Sequence, residues 1–196
     1  MQPFTVEINR TTFPDYAFRS IILSKWYGSD GLLTEKELHN VKELAVTSKE
    51  IKSLKGIEFF TSLEKLDCSM NKLKTLDLSK LRKLKTLQCY DNHLEELDVS
   101  KNPKLEILYC GQNKLTSLNV SNNISLSLVS FEGNHINVKA MGQIIQCLPR
   151  TTSNSIHYFI ICGHDKKIET NKWTTKNIRD IRAKGWIPYD MNGNEL

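Results

Sequence analysis

Between residues 63 and 136 apolar and polar positions follow a fixed order that returns every 21 residues. Leu63, Leu66, Cys68, Asn71, Leu73 and Leu76 have equivalents at Leu84, Leu87, Cys89, Asn92, Leu94 and Leu97, and again at Leu105, Leu108, Cys110, Asn113, Leu115 and Leu118. A fourth copy, Leu126, Val129, Phe131, Asn134 and Ile136, keeps the order until the phase is lost at Lys139. Within each copy the Leu-x-Cys step has period two, so both side chains share one face of a short strand. One such coil leaves its apolar side uncovered. Stacked coils set equivalent residues about 4.8 Å apart in a parallel ladder and close a common interior.

The spelling is L-x-x-L-x-L-x-x-N-x-L, and a period of about 20 to 29 residues is the signature of a leucine-rich repeat. The pattern therefore predicts an α/β fold: a right-handed leucine-rich-repeat solenoid with short parallel strands. A helical N-terminal cap is expected over 1–40, the repeats over 41–139, and a mixed α/β C-terminal cap over 140–196. Asn71, Asn92, Asn113 and Asn134 form a column at the inward turn, where an amide both donates to and accepts from backbone groups the strands leave unpaired. Cys68, Cys89 and Cys110 form another. Their spacing is the repeat period and not the C-x-x-C of a redox or zinc site, so buried, reduced thiols are expected.

Ahead of the repeats, Pro14-Asp15 opens a helix carrying Phe18, Ile21 and Ile22, and Gly28-Ser29-Asp30-Gly31 ends it. Thr34 and Glu37 then form a capping-box pattern for a second helix. Helix, loop and helix suggest a calcium loop. With Gly31 at the sixth place and Glu37 at the twelfth, however, Trp26 and Gly28 fall where oxygen ligands are required, so no metal is expected. Residues 41 to 62 fit an irregular first coil, one residue longer than its successors. Its interior is Val41, Leu44, Val46, Ile51, Leu54, Ile57 and Phe60, with Lys49 at the asparagine position.

Beyond the repeats, Ala140, Met141, Ile144, Ile145 and Leu148 form a helical stripe stopped by Pro149. Residues 156–162 read as a strand, Thr174 to Ala183 as a helix with Ile178 and Ile181 inward, and Trp186 to Tyr189 as a last extended piece. Lys172, Lys176, Arg179, Arg182 and Lys184 beside Asp180 read as the solvated face of that helix.

Composition adds bounds. With 196 residues, 39% apolar and 25% charged, the chain has an ordinary soluble composition and enough length for one extended domain or two small ones. A net charge of +5 with lysines along both the repeats and the tail does not call for nucleic acid. No segment has the about 18 to 20 uninterrupted apolar residues that span a bilayer. Met1-Gln-Pro-Phe-Thr lacks the basic flank and apolar run of a signal peptide.

Phe13-Pro14-Asp15, the Gly28-Ser29-Asp30-Gly31 loop, Ser53-Leu54-Lys55-Gly56-Ile57-Glu58-Phe59-Phe60 and the Leu-x-x-Leu-x-Cys-x-x-Asn-x-Leu copies together resemble bacterial surface leucine-rich-repeat proteins of the internalin-like kind. Ala183-Lys184-Gly185-Trp186 with Tyr189-Asp190 is similar to the closing segment of such proteins from gut bacteria. The resemblance covers nearly the whole chain. It implies an exported or cell-surface protein; no cofactor is expected.

The strand residues that do not point inward define the candidate contact surface. These are Asp67, Gln88, Tyr109 and Ser130 in one column, Ser69, Tyr90, Gly111 and Glu132 in the next with Met70 beside it, and Lys65, Thr86, Ile107 and Leu128 on the other flank. Tyr90 and Tyr109, extended by Ile107, Leu128 and Met70, make an aromatic and apolar patch of the kind that marks interfaces. The expected site is thus Tyr90, Tyr109, Gln88, Met70, Ile107, Leu128, Asp67 and Glu132. It would receive a protein or glycan partner or, alternatively, a second copy of the chain. Catalysis is not expected. Cys162, His164 and Asp165 are nearly contiguous on one strand and cannot converge, and His39, His93, His135 and His157 show no ligand spacing.

Overall fold

The computed structural model describes residues 4–151, 156–162 and 170–196. In chain order these form β1 (Thr5–Glu7), α1 (Tyr16–Leu23), β2 (Leu32–Thr34), α2 (Glu35–Asn40), β3 (Glu43–Ala45), a 3-10 turn at Ile57–Phe59, β4 (Lys65–Asp67), β5 (Thr86–Gln88), β6 (Ile107–Tyr109), β7 (Leu128–Ser130), α3 (Val138–Cys147), β8 (His157–Cys162), α4 (Thr175–Ala183) and β9 (Trp186–Asp190). Strands β3 to β9 form one seven-stranded sheet in sequence order, and every adjacent pair is parallel. The α/β solenoid follows directly.

Register fixes the interior. Leu44, Leu66, Leu87, Leu108, Val129, Phe159 and Pro188 lie opposite one another on successive strands, all of them buried. Burying each leucine contributes on the order of 1.5 to 3 kcal/mol over leaving it in water. Val46, Cys68, Cys89, Cys110, Phe131 and Ile161 make the second inner column, also fully enclosed. The three repeat cysteines are free thiols. Enclosure without a compensating cation pushes their thiols above the ordinary range, because the thiolate would be desolvated. The seven apolar residues assigned to the first coil are buried as well.

The asparagine column is a continuous hydrogen-bond spine. The Asn113 amide donates to the carbonyls of Cys89, Cys110 and Gly111 and accepts from Leu94 N–H. Asn92 does the same one coil earlier, with Cys68, Cys89, Tyr90 and Leu73. Asn71 accepts from Lys49 and Ile51 N–H, so the first coil has no asparagine of its own and uses its neighbour's. The spine also extends beyond the repeats, because Asn171 donates to Phe131 C=O at 2.9 Å and accepts from Ile136 N–H at 3.0 Å. The residue preceding each repeat asparagine takes a left-handed backbone, φ 53° at Met70, 53° at Asp91, 51° at Gln112 and 64° at Gly133. That reversal turns the asparagine inward while its predecessor faces out.

A second amide column lies on the opposite turn. Buried Asn102 donates to Leu78 and Leu81 carbonyls, and Asn123 to those of Val99 and Asn102. Asp77, Asp98 and Asn119 cap nearby turns by accepting from Ser79, Ser100 and Ser121 N–H. Those N–H groups hold the Asp77 and Asp98 carboxyls below the usual aspartate range.

At the N-terminal end, Asp15 caps α1 through Phe18 N–H, and Thr34 with Glu37 completes the capping box of α2. The helical cap also holds a small sheet that the pattern did not predict, β1 antiparallel to β2. Three-residue strands are too short for alternation to declare itself. In the calcium-like loop, Asp30 accepts from Leu32 N–H and caps its own turn, while Trp26 is 69% exposed. At the other end Phe131 packs at a tilt on Phe159, Phe159 meets Trp186 edge to face, and Trp186 Nε1 donates to Pro149 C=O. Tyr189 of β9 pairs antiparallel with Glu195, which covers part of the last strand edge.

Candidate functional site

The outer face of the seven-stranded sheet is set by the same register. One row runs Glu43, Lys65, Thr86, Ile107, Leu128, Tyr158, Ile187, and the other Ala45, Asp67, Gln88, Tyr109, Ser130, Ile160, Tyr189. Each row changes character along the solenoid. At the β3 and β4 end the side chains are charged and satisfied: Lys65 pairs with Glu43 at 2.8 Å, and Asp67 accepts from Ser69 N–H. From β6 onward the face is apolar and aromatic. Tyr158 and Tyr189 meet edge to face with ring centroids 5.5 Å apart, and Tyr158 remains 37% exposed.

Seven of the eight sequence-assigned residues reach this surface. Tyr90, Tyr109, Gln88, Asp67, Ile107 and Leu128 are half-buried, and Met70 is 40% exposed. Register places Tyr109 beside Gln88 and Ile107 between Thr86 and Leu128. Tyr90 lies just past β5, where its carbonyl accepts from Met70 N–H.

Glu132 is a correction: expected in solvent, it is only 4% exposed. The cause lies one coil earlier. Gly111 stands where that column has Ser69 and Tyr90, and the Glu132 carboxylate folds into the space left, so near that a Cβ on Gly111 would sit 2.0 Å from its Oε1. Ser130 Oγ donates to the same carboxylate. Ser69, Gly111 and Ser130, expected on the open face, are likewise buried. The residues the sequence did not place here are Tyr158, Ile160, Ile187 and Tyr189. The spacing from Val129 to Phe159 departs from the repeat period, so only coordinates reveal that β8 and β9 continue the same rows.

Among the described residues no three His, Cys, Asp or Glu side chains gather to hold a metal ion. The side chains of Cys162, His164 and Asp165 lie outside the described residues. No helix among those described is long and apolar enough to cross a membrane.

No protein-family model and no curated protein matches the sequence. Solved structures do. The functional domain of InlJ from Listeria monocytogenes, which includes a cysteine ladder, is 28% identical over 89% of this chain, with a TM-score of 0.67. An internalin from the same organism, InlF, superposes over 94% of the chain with a TM-score of 0.60 at 18% identity, and internalin C2 over 95% with 0.57 at 15%. The last two likenesses concern the fold alone. The chain spans 36% of the InlJ domain, 58% of InlF and 86% of internalin C2. Repeat spelling, asparagine spine and these likenesses agree: the chain folds as a leucine-rich-repeat solenoid similar to those of the Listeria internalins.

Proposed function

We propose that this chain is a non-enzymatic binding module that presents the outer sheet face to a protein partner outside the cell. The observation that carries this reading is the apolar half of that face, where Ile107, Tyr109, Leu128, Tyr158, Ile160, Ile187 and Tyr189 lie on adjacent strands. Contiguous apolar area of this kind is unfavourable in water and is common where a partner docks. Tyrosine suits such a site, since a large ring with a polar tip contributes contact area at little entropic cost. The backbone beneath it is fixed by parallel hydrogen bonds and the asparagine spine, so little ordering is lost on binding. The charged β3 and β4 end sets orientation.

The test is capture of candidate extracellular proteins on the immobilised chain, followed by affinity measurement with Tyr109→Ala, Tyr158→Ala and Tyr189→Ala. Each truncation at a hot spot is expected to weaken binding by about tenfold or more while leaving the circular dichroism spectrum unchanged. Unaltered affinity in the triple variant would refute the site. Concentration-dependent dimerisation abolished by the same variant would replace the partner with a second copy of the chain.

A further inference from the structure

A different edge of the solenoid carries its own chemistry. The residues immediately after the spine asparagines are Lys72, His93, Lys114, His135 and Lys172. Their backbone N–H groups donate in order to the carbonyls of Ile51, Leu73, Leu94, Leu115 and Ile136, at 2.8, 2.9, 2.8, 2.8 and 2.6 Å. They therefore stand at the same height on consecutive coils, about 4.8 Å apart, and all five side chains are exposed. The first rung is balanced by a carboxylate, because Lys72 pairs with Glu50. Glu95, Glu96 and Asp98 line the same cleft as Lys114 and His135.

Toward the C-terminal cap the balance changes. Past Lys172 lies a groove between α3 and α4 lined by Lys139, Arg150, Lys176 and Lys184, with Asp180 as its acidic member. Asp180 is already paired with Lys176 at 2.6 Å, and Lys184 Nζ is held on the Gln146 and Leu148 carbonyls. In the sequence, nine basic residues stand against five acidic ones after position 138, and eighteen against seventeen before it. The chain's excess positive charge is thus concentrated at this end.

We propose that the basic edge from Lys114 through His135 and Lys172 into the α3–α4 groove binds an acidic polysaccharide. Charge sign calls for an anion, and lysines at equivalent places on coils either side of the His135 imidazole call for a linear one. The form of the edge selects among polymers. Its backbone N–H groups are consumed between coils, so a peptide cannot add as a strand. The groove lining has no aromatic side chain for bases to stack on, and the proposed edge offers only the single imidazole of His135. The cations are mostly lysines, single-point donors, and not the arginine forks that suit phosphate. A sugar chain carrying carboxylates or sulfates at intervals, with hydroxyls between them for the His135 imidazole and Gln146, matches that set.

The experiment is isothermal titration of the full chain with polygalacturonate at low and moderate salt, with neutral dextran, poly-glutamate and oligothymidylate in parallel. Binding to polygalacturonate that weakens with salt is expected, at least tenfold tighter than to the other three. Lys114→Glu with Lys172→Glu should reduce affinity at least tenfold, as should Lys139→Glu with Arg150→Glu at the other end. A charge-matched reversal of Lys101 and Lys104, on a different turn, should change it less than twofold. Equal loss in the Lys101 and Lys104 variant, equal binding of poly-glutamate or oligothymidylate, or no heat with polygalacturonate at low salt would each overturn the proposal. Tyr158→Ala with Tyr189→Ala leaves this binding unchanged, which separates it from the sheet-face reading.

Discussion

Removing one rung of the asparagine spine tests what holds the coils in phase. In Asn113→Ala the carbonyls lose a donor but none is orphaned. Cys89 C=O keeps Asn92 Nδ2, Cys110 C=O keeps Asn134 Nδ2, and Gly111 C=O keeps Asp91 N–H. The loss falls on Leu94 N–H, whose acceptor at 3.0 Å is the deleted amide oxygen. A buried donor left without a partner costs about 1 to 3 kcal/mol, and the gap left by the carboxamide adds on the order of 1 kcal/mol. The expected destabilisation is therefore about 2 to 4 kcal/mol, a large part of a typical domain's margin of about 5 to 15 kcal/mol. Asn102 is the control, being equally buried. Its amide serves only as a donor, to Leu78 and Leu81 carbonyls that also accept from Leu81 and Leu84 N–H, and its Oδ1 is without a partner. Asn102→Leu, which copies Leu81 at the matching place one coil earlier, should cost less than about 1 kcal/mol, because no buried group is orphaned. Urea unfolding followed by circular dichroism measures both. Asn113→Asp adds a signature: it should be less stable than Asn113→Ala at neutral pH, where a carboxylate would face three carbonyls, and should recover as acid protonates it. If Asn113→Ala costs no more than Asn102→Leu, the spine does not act as argued.

Other consequences are as specific. Gly111→Ala should cost about 1 kcal/mol by displacing the Glu132 carboxylate, and should cost almost nothing in a Glu132→Ala background; additive losses in a double-mutant cycle would mean the two residues are not coupled. Cys68, Cys89 and Cys110 should resist iodoacetamide at mildly alkaline pH in the native protein and react fully in denaturant, since burial holds their thiols protonated; rapid native labelling detected by mass spectrometry would contradict this. Asp77 and Asp98 have depressed carboxyl pKa values, so their contribution is complete above the ordinary aspartate value of 3.8 and is lost as pH falls through the lower folded-state values. Asp77→Asn with Asp98→Asn, which copies Asn119, should flatten that acid limb of the stability curve, and an unchanged limb would assign it to other groups.

How far the sequence reached follows from where its periodicity held. A strict 21-residue return places Leu87, Cys89 and Asn92 inside without coordinates, and the helix caps at Asp15, Thr34 and Thr174 are legible because capping is local. Period fails where the chain between rungs changes length. Asn171 follows Ile161 by ten residues, whereas Asn134 follows Phe131 by three, so the last member of the spine has no sequence neighbour to announce it. Tyr158 and Tyr189 were missed for the same reason, and with them the larger part of the apolar face. Asn102 and Asn123 have Leu81 as their predecessor, which hid the second amide column. Glu132 was misplaced because its burial depends on an absence, the missing side chain of Gly111 on the neighbouring coil, and no pattern within one repeat records that.

The common phase of all seven strands is the claim on which the interior, the apolar face and both proposed surfaces rest. An engineered disulfide measures it without a partner. In the parallel register Leu128 lies opposite Tyr158, and neighbouring strands about 4.8 Å apart fall within the Cα separation of about 4.4 to 6.8 Å that a disulfide spans. Leu128→Cys with Tyr158→Cys should cross-link on mild oxidation of the folded protein, while Leu128→Cys with Phe159→Cys, on opposite faces, should not. The reverse outcome would place the closing strands out of phase with the repeats.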